Sequence, residues 1–417
     1  MSGHNMRKSR LQFRDGVCVD TPCVVLPTYM GNLLFTPPSL ADPISPHIVR
    51  LGQLELTDVI EKDFGDIPLS QLCVPAAPGG TGPRLIMSCR SMTRGCGVGT
   101  KLGVDVDAPG GRKTITPKKL ATRVRIDQPL AVVALADEVC MTSGHKRLSK
   151  STDRTLSMFR ELMALPEMGA QEAQEAQREG VFVFGVAVSG HTTDHLPNMA
   201  ARLVQQGARG VVIGGANLGE TPEQLSEACQ RVRAAIGDDV PMMLQGVDSM
   251  AAVMCALASG VDLCSSNLVQ LASQLGHALV LPLPMPPAEA AADGSEGGTI
   301  KRPRTERGEK MGQGQGTDSG VSVGRYGPAI ILWQERYRKD QTPISSHCRC
   351  HTCSHHTRAY LHHLLKAKEL LADVLIYQHN QHQVMQLFEA VRAAQWSPED
   401  FAEWSGSLVG VDGVDEV

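Results

Sequence analysis

Cys348, Cys350 and Cys353 stand in the run Cys348-Arg349-Cys350-His351-Thr352-Cys353, and His379 follows 26 positions after the last thiol. The pattern C-x-C-x2-C-x25-H offers three thiolates and one imidazole, a tetrahedral set for Zn²⁺. Four protein ligands fill the coordination shell, so the expectation is one structural zinc per chain rather than a catalytic ion with an open position. His347, His351, His355, His356, His362 and His363 crowd the same segment and compete for the fourth place. Metal–ligand bonds of about 2.0–2.3 Å hold the four atoms within a few Å of one another. A straight helix from Cys353 to His379 would rise about 39 Å, so the chain must double back. The apolar positions place one helix over 358–365 and a second over 370–378, with the turn near Lys366-Ala367-Lys368. Leu361, Leu364 and Leu365 make one stripe, and Leu370, Leu371, Val374 and Leu375 another. In this reading the metal ties the end of the second helix to the loop before the first. Arg349 or Arg358 offsets the surplus thiolate charge, and His379 gives its other ring N–H to a nearby acceptor.

The rest of the chain must position this cluster. It has 417 residues, 42% hydrophobic and 20% charged, which is ordinary for globular domains. Aromatics make up only 4%, which favours an Ala/Leu/Val α/β core over a sheet sandwich. A net charge of −4 gives no global attraction to nucleic acid. Nine further cysteines (Cys18, Cys23, Cys73, Cys89, Cys96, Cys140, Cys229, Cys255 and Cys264) are scattered with no second C-x2-C pair. They read as free thiols of a reducing compartment. Residues 1–14 are basic but lack an apolar stretch, so they are not a secretory signal. No run of about 18 apolar residues occurs, so no membrane-spanning segment is expected.

Short apolar runs alternate with helical patterns through the middle of the chain. Strands are expected over 130–135, 181–188, 210–213, 241–245 and 261–265, and helices over 151–165, 197–206, 221–236 and 249–258. Thr221, Pro222 and Gln224 form a helix start with a capping box. Repeated units of this size predict a parallel sheet with crossover helices, a (β/α)8 TIM-type barrel before a doubly wound sheet. The barrel is expected over 1–282. Residues 283–327, rich in Pro, Ala, Gly, Glu and Gln, read as a disordered low-complexity insertion. Its Lys301-Arg302-Pro303-Arg304 run reads as solvated linker rather than an import or RNA patch, since Glu306 and Glu309 dilute it. Residues 328–396 are expected to hold the last barrel element and the zinc-binding helical subdomain, and 397–417 a flexible acidic tail.

The zinc run, followed by Thr357-Arg358-Ala359-Tyr360-Leu361-His362-His363-Leu364, Glu369-Leu370-Leu371 and His379-Asn380, resembles the tRNA-guanine transglycosylase family. The likeness extends to Ile331-Leu332-Trp333, Arg336-Tyr337, Gly260-Val261-Asp262-Leu263, Gly214-Gly215, Gly219-Glu220, Lys150-Ser151 and Arg154-Thr155, covering roughly 115–395 apart from the insertion. It implies a (β/α)8 barrel with a C-terminal zinc subdomain whose ligands are Cys348, Cys350, Cys353 and His379. The implied reaction exchanges guanine for queuine at the anticodon wobble position of tRNAs with GUN anticodons. In catalytic members a carboxylate attacks ribose C1′ as guanine leaves, and the incoming base displaces it, much as in retaining glycosidases.

Three departures bear on that chemistry. The nucleophile register runs Gly260, Val261, Asp262, Leu263, Cys264, Ser265, so an alcohol stands where the family has its acid. The Asp-Ser-Gly-Gly-Phe-Gln run of catalytic members is absent before Asp127. The Val-Gln-Gly-Gly turn reads Ala187-Val188-Ser189-Gly190, replacing an amide by Val188. Asp137, Val188, Gly214 and Gly215 align with a base pocket that is vestigial in this reading. In eukaryotes the family's active enzyme is a heterodimer of a catalytic subunit and a non-catalytic paralogue, and this chain is similar to the latter. The resemblance thus implies no catalytic residue here, a catalytic queuine tRNA-ribosyltransferase subunit and tRNA as partners, and the cytoplasm as location. Similar accessory subunits suggest peripheral association with the mitochondrial outer membrane. It also implies a dimer interface at the zinc helices, with Leu361, Leu364, Leu371 and Leu375 as candidates beside plain core packing. The alternatives are a transglycosylase with a displaced nucleophile and a zinc-stabilised barrel of unrelated chemistry.

Overall fold

The computed structural model of the chain describes residues 7–13, 16–29, 31–35, 51–55, 67–69, 84–91, 97–108, 111–168, 181–188, 195–216, 218, 220–283 and 321–409. An antiparallel hairpin of β1 (Ser9–Gln12) and β2 (Cys18–Thr21) leads into β3 (Cys23–Tyr29), on which the short β4 (Asn32–Leu33) folds back. Next come β5 (Leu51–Glu55) and β6 (Arg84–Ser88), then a small antiparallel sheet of β7 (Val98–Gly99), β8 (Val104–Ala108) and β9 (Gly111–Ile115). Helix α1 (Pro117–Asp127) opens the regular alternation: β10 (Ala131–Val133), α2 (His145–Met163), β11 (Phe182–Ala187), α3 (His195–Gln205), β12 (Gly210–Ile213), α4 (Pro222–Ile236), β13 (Met242–Val247), α5 (Met250–Ala258) and β14 (Leu263–Ser266).

Strands β3, β5, β6, β10, β11, β12, β13 and β14 pair in parallel in that order, and β14 pairs with β3, Leu263 opposite Cys23 and Ser265 opposite Val25. The sheet is therefore a closed eight-stranded parallel barrel. Every position of β5, β10, β11, β12 and β14 is buried. That is the burial expected when helices cover one face and side chains fill the interior behind the other. It also explains why these strands read as continuous apolar runs. The helices begin where their caps allow: Thr221 accepts from Gln224 N–H while the Gln224 side chain accepts from Thr221 N–H, and Ser249 accepts from Ala252 N–H. Below the barrel, Asp262 receives Arg7 Nε at 2.7 Å, Arg233 Nη2 at 2.8 Å, Met242 N–H at 2.9 Å and Thr21 Oγ1 at 3.2 Å. This fully buried carboxylate ties the N-terminal segment to β13 and β14.

After α6 (Leu268–Gln274) the chain builds a second unit. Strands β15 (His277–Leu279), β16 (Val321–Gly324) and β17 (Gly327–Ile331) form an antiparallel sheet, followed by α7 (His351–His355), α8 (Arg358–Ala367), α9 (Leu370–Ala393) and α10 (Pro398–Leu408). A small apolar core of Ile330, Leu332, Tyr337, Leu361, Leu365 and Ile376 holds it together. The second half of α9 leaves this core: Leu387, Phe388 and Val391 belong to the barrel's core instead.

Three boundaries differ from the sequence expectation. Residues 321–327 form β16, its turn and the start of β17, so regular structure includes the end of the expected insertion; residues 284–320, with Lys301-Arg302-Pro303-Arg304, lie outside the described residues. The helix expected to stop at 378 runs to Ala393, because no Gly or Pro interrupts it. The expected flexible tail is helical over Pro398–Leu408: Ser397 caps it, Phe401 and Leu408 are buried, and the Trp396 and Trp404 rings stack at 4.8 Å. Residues 410–417 lie outside the described residues.

Candidate metal centre and barrel mouth

Cys348, Cys350, Cys353 and His379 converge, their ligand atoms all within 4.8 Å of one another. His379 Nδ1 lies 3.7, 3.5 and 3.3 Å from the three sulfurs in turn. Zn–S and Zn–N bonds at tetrahedral angles give an N···S separation of about 3.6 Å, so the set fits zinc. The tautomer is fixed from behind. His379 Nε2 lies 2.7 Å from the Leu279 carbonyl, so Nε2 carries the hydrogen and the Nδ1 lone pair faces the thiols. The neighbours of His379 grip the same strand edge: Asn380 accepts from Leu279 N–H at 2.8 Å and donates to the His277 carbonyl at 2.8 Å, and Gln383 accepts from Leu281 N–H at 3.1 Å. On the opposite side Thr352 Oγ1 donates to the Leu375 carbonyl at 2.7 Å, locking α7 to α9.

Three sulfurs this close to one another cannot all carry charge without a nearby cation. A divalent cation removes that conflict by taking all three as thiolates. Among the described residues this is the one group of three or more such side chains placed to share an ion. The competing histidines point elsewhere. His362 is buried against the Leu332 carbonyl at 2.8 Å, and His351, His355 and His356 stack on the surface. His379 lies in the middle of α9 rather than at its end. Arg358 is engaged by Asp340 at 3.1 Å and the Ile344 carbonyl at 2.8 Å. Of the interface candidates, Leu361, Leu364 and Leu375 are buried in the subdomain core, while Leu371 is 42% exposed.

At the other end of the barrel strands, Ser265 is fully buried and its hydroxyl donates to Gln53 Oε1. Gln245 Nε2 donates to the same oxygen and to Ser88 Oγ, each at 3.0 Å, and Gln53 Nε2 donates to the Arg90 carbonyl at 2.8 Å. A neutral network of two amides and two hydroxyls thus fills the barrel's axis. Asp262 lies at the opposite, N-terminal end, as the register of β14 requires.

Two of the carboxylates at this end of the described strands, Asp137 and Glu138, are occupied. Asp137 is fully buried and accepts both Arg147 Nη groups, at 2.8 and 2.7 Å, as well as Arg154 at 3.1 Å and Gly99 N–H at 3.0 Å. Burial alone would raise its pKa, but the Arg147 and Arg154 hydrogen bonds outweigh it and hold the carboxyl below its usual range. Strand β7 lies so tightly on it that a Cβ at Gly99 would sit 2.1 Å from the Asp137 side chain. Glu138 accepts from Arg90 Nη1 at 2.8 Å and from Gly215 N–H at 2.9 Å. Arg90 also donates to the Ala216 carbonyl at 2.6 Å, and Gly246, at φ +75°, leaves room for its guanidinium where a Cβ would approach within 2.6 Å. Val188 fills the space beside Gly214, where a Cβ would meet it at 2.5 Å. Asp137, Val188, Gly214 and Gly215 therefore sit together on neighbouring strand ends. Between Ser88, Arg90, Val104, Ala136 and Glu138, 10 Å³ is left, room for about one water. Gln53, Ser88, Arg90 and Gln245 escaped the sequence reading. No local motif marks them, and barrel closure alone brings Gln53 and Gln245 together.

The sequence model of the queuine tRNA-ribosyltransferase family matches residues 86–406. The chain belongs to that family. The match takes in five of the eight barrel strands, the end of a sixth and the whole thiolate centre. Among its relatives, a queuine tRNA-ribosyltransferase accessory subunit 2 from Xenopus tropicalis is 28% identical over 303 residues, 72% of this chain and 70% of that protein. One of the same description from Ixodes scapularis is 24% identical over 403 residues, 90% of this chain and 89% of that protein. A queuine tRNA-ribosyltransferase from Prochlorococcus marinus (strain MIT 9313) is 29% identical over 232 residues, 53% of this chain and 48% of that protein. No helix among the described residues is long and apolar enough to cross a membrane.

Proposed function

We propose that this chain is the non-catalytic subunit of a heterodimeric queuine tRNA-ribosyltransferase. It supports exchange of guanine for queuine at the wobble position of tRNAs with GUN anticodons, and it works in the cytoplasm, with peripheral association at the mitochondrial outer membrane. The observation that carries the reading is Ser265. A hydroxyl that donates to an amide oxygen has no base to activate it and no charge to stabilise a developing sugar cation. Asp137 and Glu138 do not substitute for the missing acid, since each is committed to a guanidinium. Cys348, Cys350, Cys353 and His379 would hold one zinc as a closed structural centre, which fastens α7 to α9 and to the edge of β15.

The test is exchange of labelled guanine into tRNA by this chain alone, by a catalytic subunit alone and by the mixture. Activity confined to the mixture, or strongly raised there, supports the reading. Turnover by the isolated chain, or a covalent tRNA adduct on it, refutes it.

A further inference from the structure

A cavity of about 780 Å³ lies between the chain at 280–283, residues 345–348 and the C-terminal half of α9. Of the four residues at the thiolate centre, Cys348 alone lines it. Cys348 marks the inner end, since its Sγ stands 3.7 Å from His379 Nδ1. Pro282, His347 and Ala393 also line the cavity and are exposed, so it opens to solvent. Along α9, Gln383, Gln386 and Glu389 follow His379 at spacings of four, three and three residues, which puts them on one side of the helix. Ten residues of helix rise about 15 Å, so this polar row runs from the centre to the cavity's outer end.

The lining suits a hydrated divalent ion. Such an ion turns its water hydrogens outward and needs acceptors beside it. Gln386 Oε1, the Glu389 carboxylate and the His347 ring can supply them. The side chains of Glu389 and His347 make no ion pair or hydrogen bond among the described residues. An ion with six waters takes up about 200 Å³ at about 30 Å³ per water, well within the cavity. The competing approach runs past Cys353, which is half-buried on α7. It crosses 341–368, where the chain has four Lys or Arg residues and no Asp or Glu, a stretch that repels a dication. Lys8 and Arg392 share a second hollow with Glu389, but neither lines this cavity. Each donates to a carbonyl there, Lys8 to that of Ala394 and Arg392 to that of Pro22.

We infer that this cavity is the route by which a divalent metal ion reaches and leaves the thiolate centre, with Glu389, Gln386 and His347 as the groups that pass it inward. The inference rests on the zinc centre proposed above. The experiment uses the full chain with zinc alone as ligand. Release is timed into excess EDTA, uptake by the stripped chain is timed with a zinc indicator, and Kd is taken from competition with a chelating dye. Ala390→Trp narrows the cavity. It is expected to slow release and uptake alike by about tenfold and to keep Kd within about twofold of wild type, because a wall raises the barrier without touching either end state. Ala393→Trp, at an exposed lining position, should slow both rates in the same way but less. Ser354→Trp, next to Cys353, should leave both rates unchanged. Each variant is expected to keep one zinc per chain and the wild-type thermal midpoint. The inference is overturned if both alanine replacements exchange zinc at the wild-type rate, if their Kd moves in step with the rates, or if Ser354→Trp is the variant that slows exchange. A wild-type chain that binds no zinc sinks the centre and the route together. A chain that binds one zinc at rates indifferent to Ala390 and Ala393 sinks the route alone and leaves the centre standing.

Discussion

Ser265→Asp puts an acid where the sequence resemblance expects the family's nucleophile, and the structure predicts that it fails. The position is fully buried, and the atom facing it is Gln53 Oε1, an acceptor. A carboxylate there sets acceptor against acceptor. Turning the Gln53 amide over does not help, because its oxygen would then face the Arg90 carbonyl that Nε2 now satisfies at 2.8 Å. The Arg90 guanidinium is held by Glu138 and the Ala216 carbonyl. An unpaired buried charge costs about 3–5 kcal/mol. The chain lowers that cost by keeping the new carboxyl protonated, which raises its folded-state pKa above the unfolded value of about 3.9. The sign follows: the folded state then binds the proton more tightly, so the variant loses stability relative to wild type as pH rises from about 4 to the folded value. At 1.36 kcal/mol per unit the deficit is about 1.5 kcal/mol at pH 5 and grows to about 3–5 kcal/mol at pH 7.5. Urea unfolding of both proteins at the two pH values measures it. Below its folded pKa the acid is protonated and no nucleophile, and above it the chain bears the full cost of the buried charge, so guanine exchange by Ser265→Asp alone stays at background. A variant as stable as wild type at pH 7.5 that also exchanges guanine would refute this account of the mouth.

Other perturbations probe the remaining charged sites. Cys350→Ser should drop zinc content well below one per chain, and hydrogen exchange should accelerate over 348–379 more than in β10–β13; structural zinc contributes about 10–16 kcal/mol in isolated peptides, more than a subdomain of this size can spare. Asp262→Ala leaves Arg7 and Arg233, whose side chains are 13% and 11% exposed, without their shared carboxylate. It should cost about 3–5 kcal/mol in urea unfolding, with zinc content unchanged. The Asp137 carboxyl is held below its usual range, so its contribution is present above about pH 4 and fades as pH falls through the folded value. Asp137→Asn should lower stability at pH 7 and flatten the acid limb of the unfolding profile.

Much of the barrel was legible because burial on both faces forces apolar runs onto parallel strands. The stretch 210–213 is all Gly, Val and Ile, and Thr221 with Gln224 announces the next helix in four residues. The centre's three thiols were legible for a related reason: their spacing serves no packing purpose. What escaped has a common cause. Residues 377–383, Tyr-Gln-His-Asn-Gln-His-Gln, look like solvent-facing chain, so α9 was expected to end there. They are interior because His379, Asn380 and Gln383 spend their polar atoms on the edge of β15, and His379 keeps one nitrogen for the metal. Gln53 and Gln245 were invisible for the same reason, each satisfying the other from 192 residues away. Glu399 and Asp400 suggested a solvated tail, yet they sit in the first turn of α10, where acids complement the helix dipole.

The run of α9 through both cores gives the thiolate centre a reach that its spacing did not suggest. One helix carries His379 at the three thiols and, two to three turns on, Leu387, Phe388 and Val391 in the barrel's core. A rigid helix transmits the position of one end to the other, so a zinc ion that held His379 against β15 would also fix how the barrel's last helix closes over β3. Arg392, near the end of α9, donates to the Pro22 carbonyl at 2.7 Å just before β3 begins. The connection through α9 thus reaches the start of β3, so the barrel's shape is set from the chain's C-terminal unit.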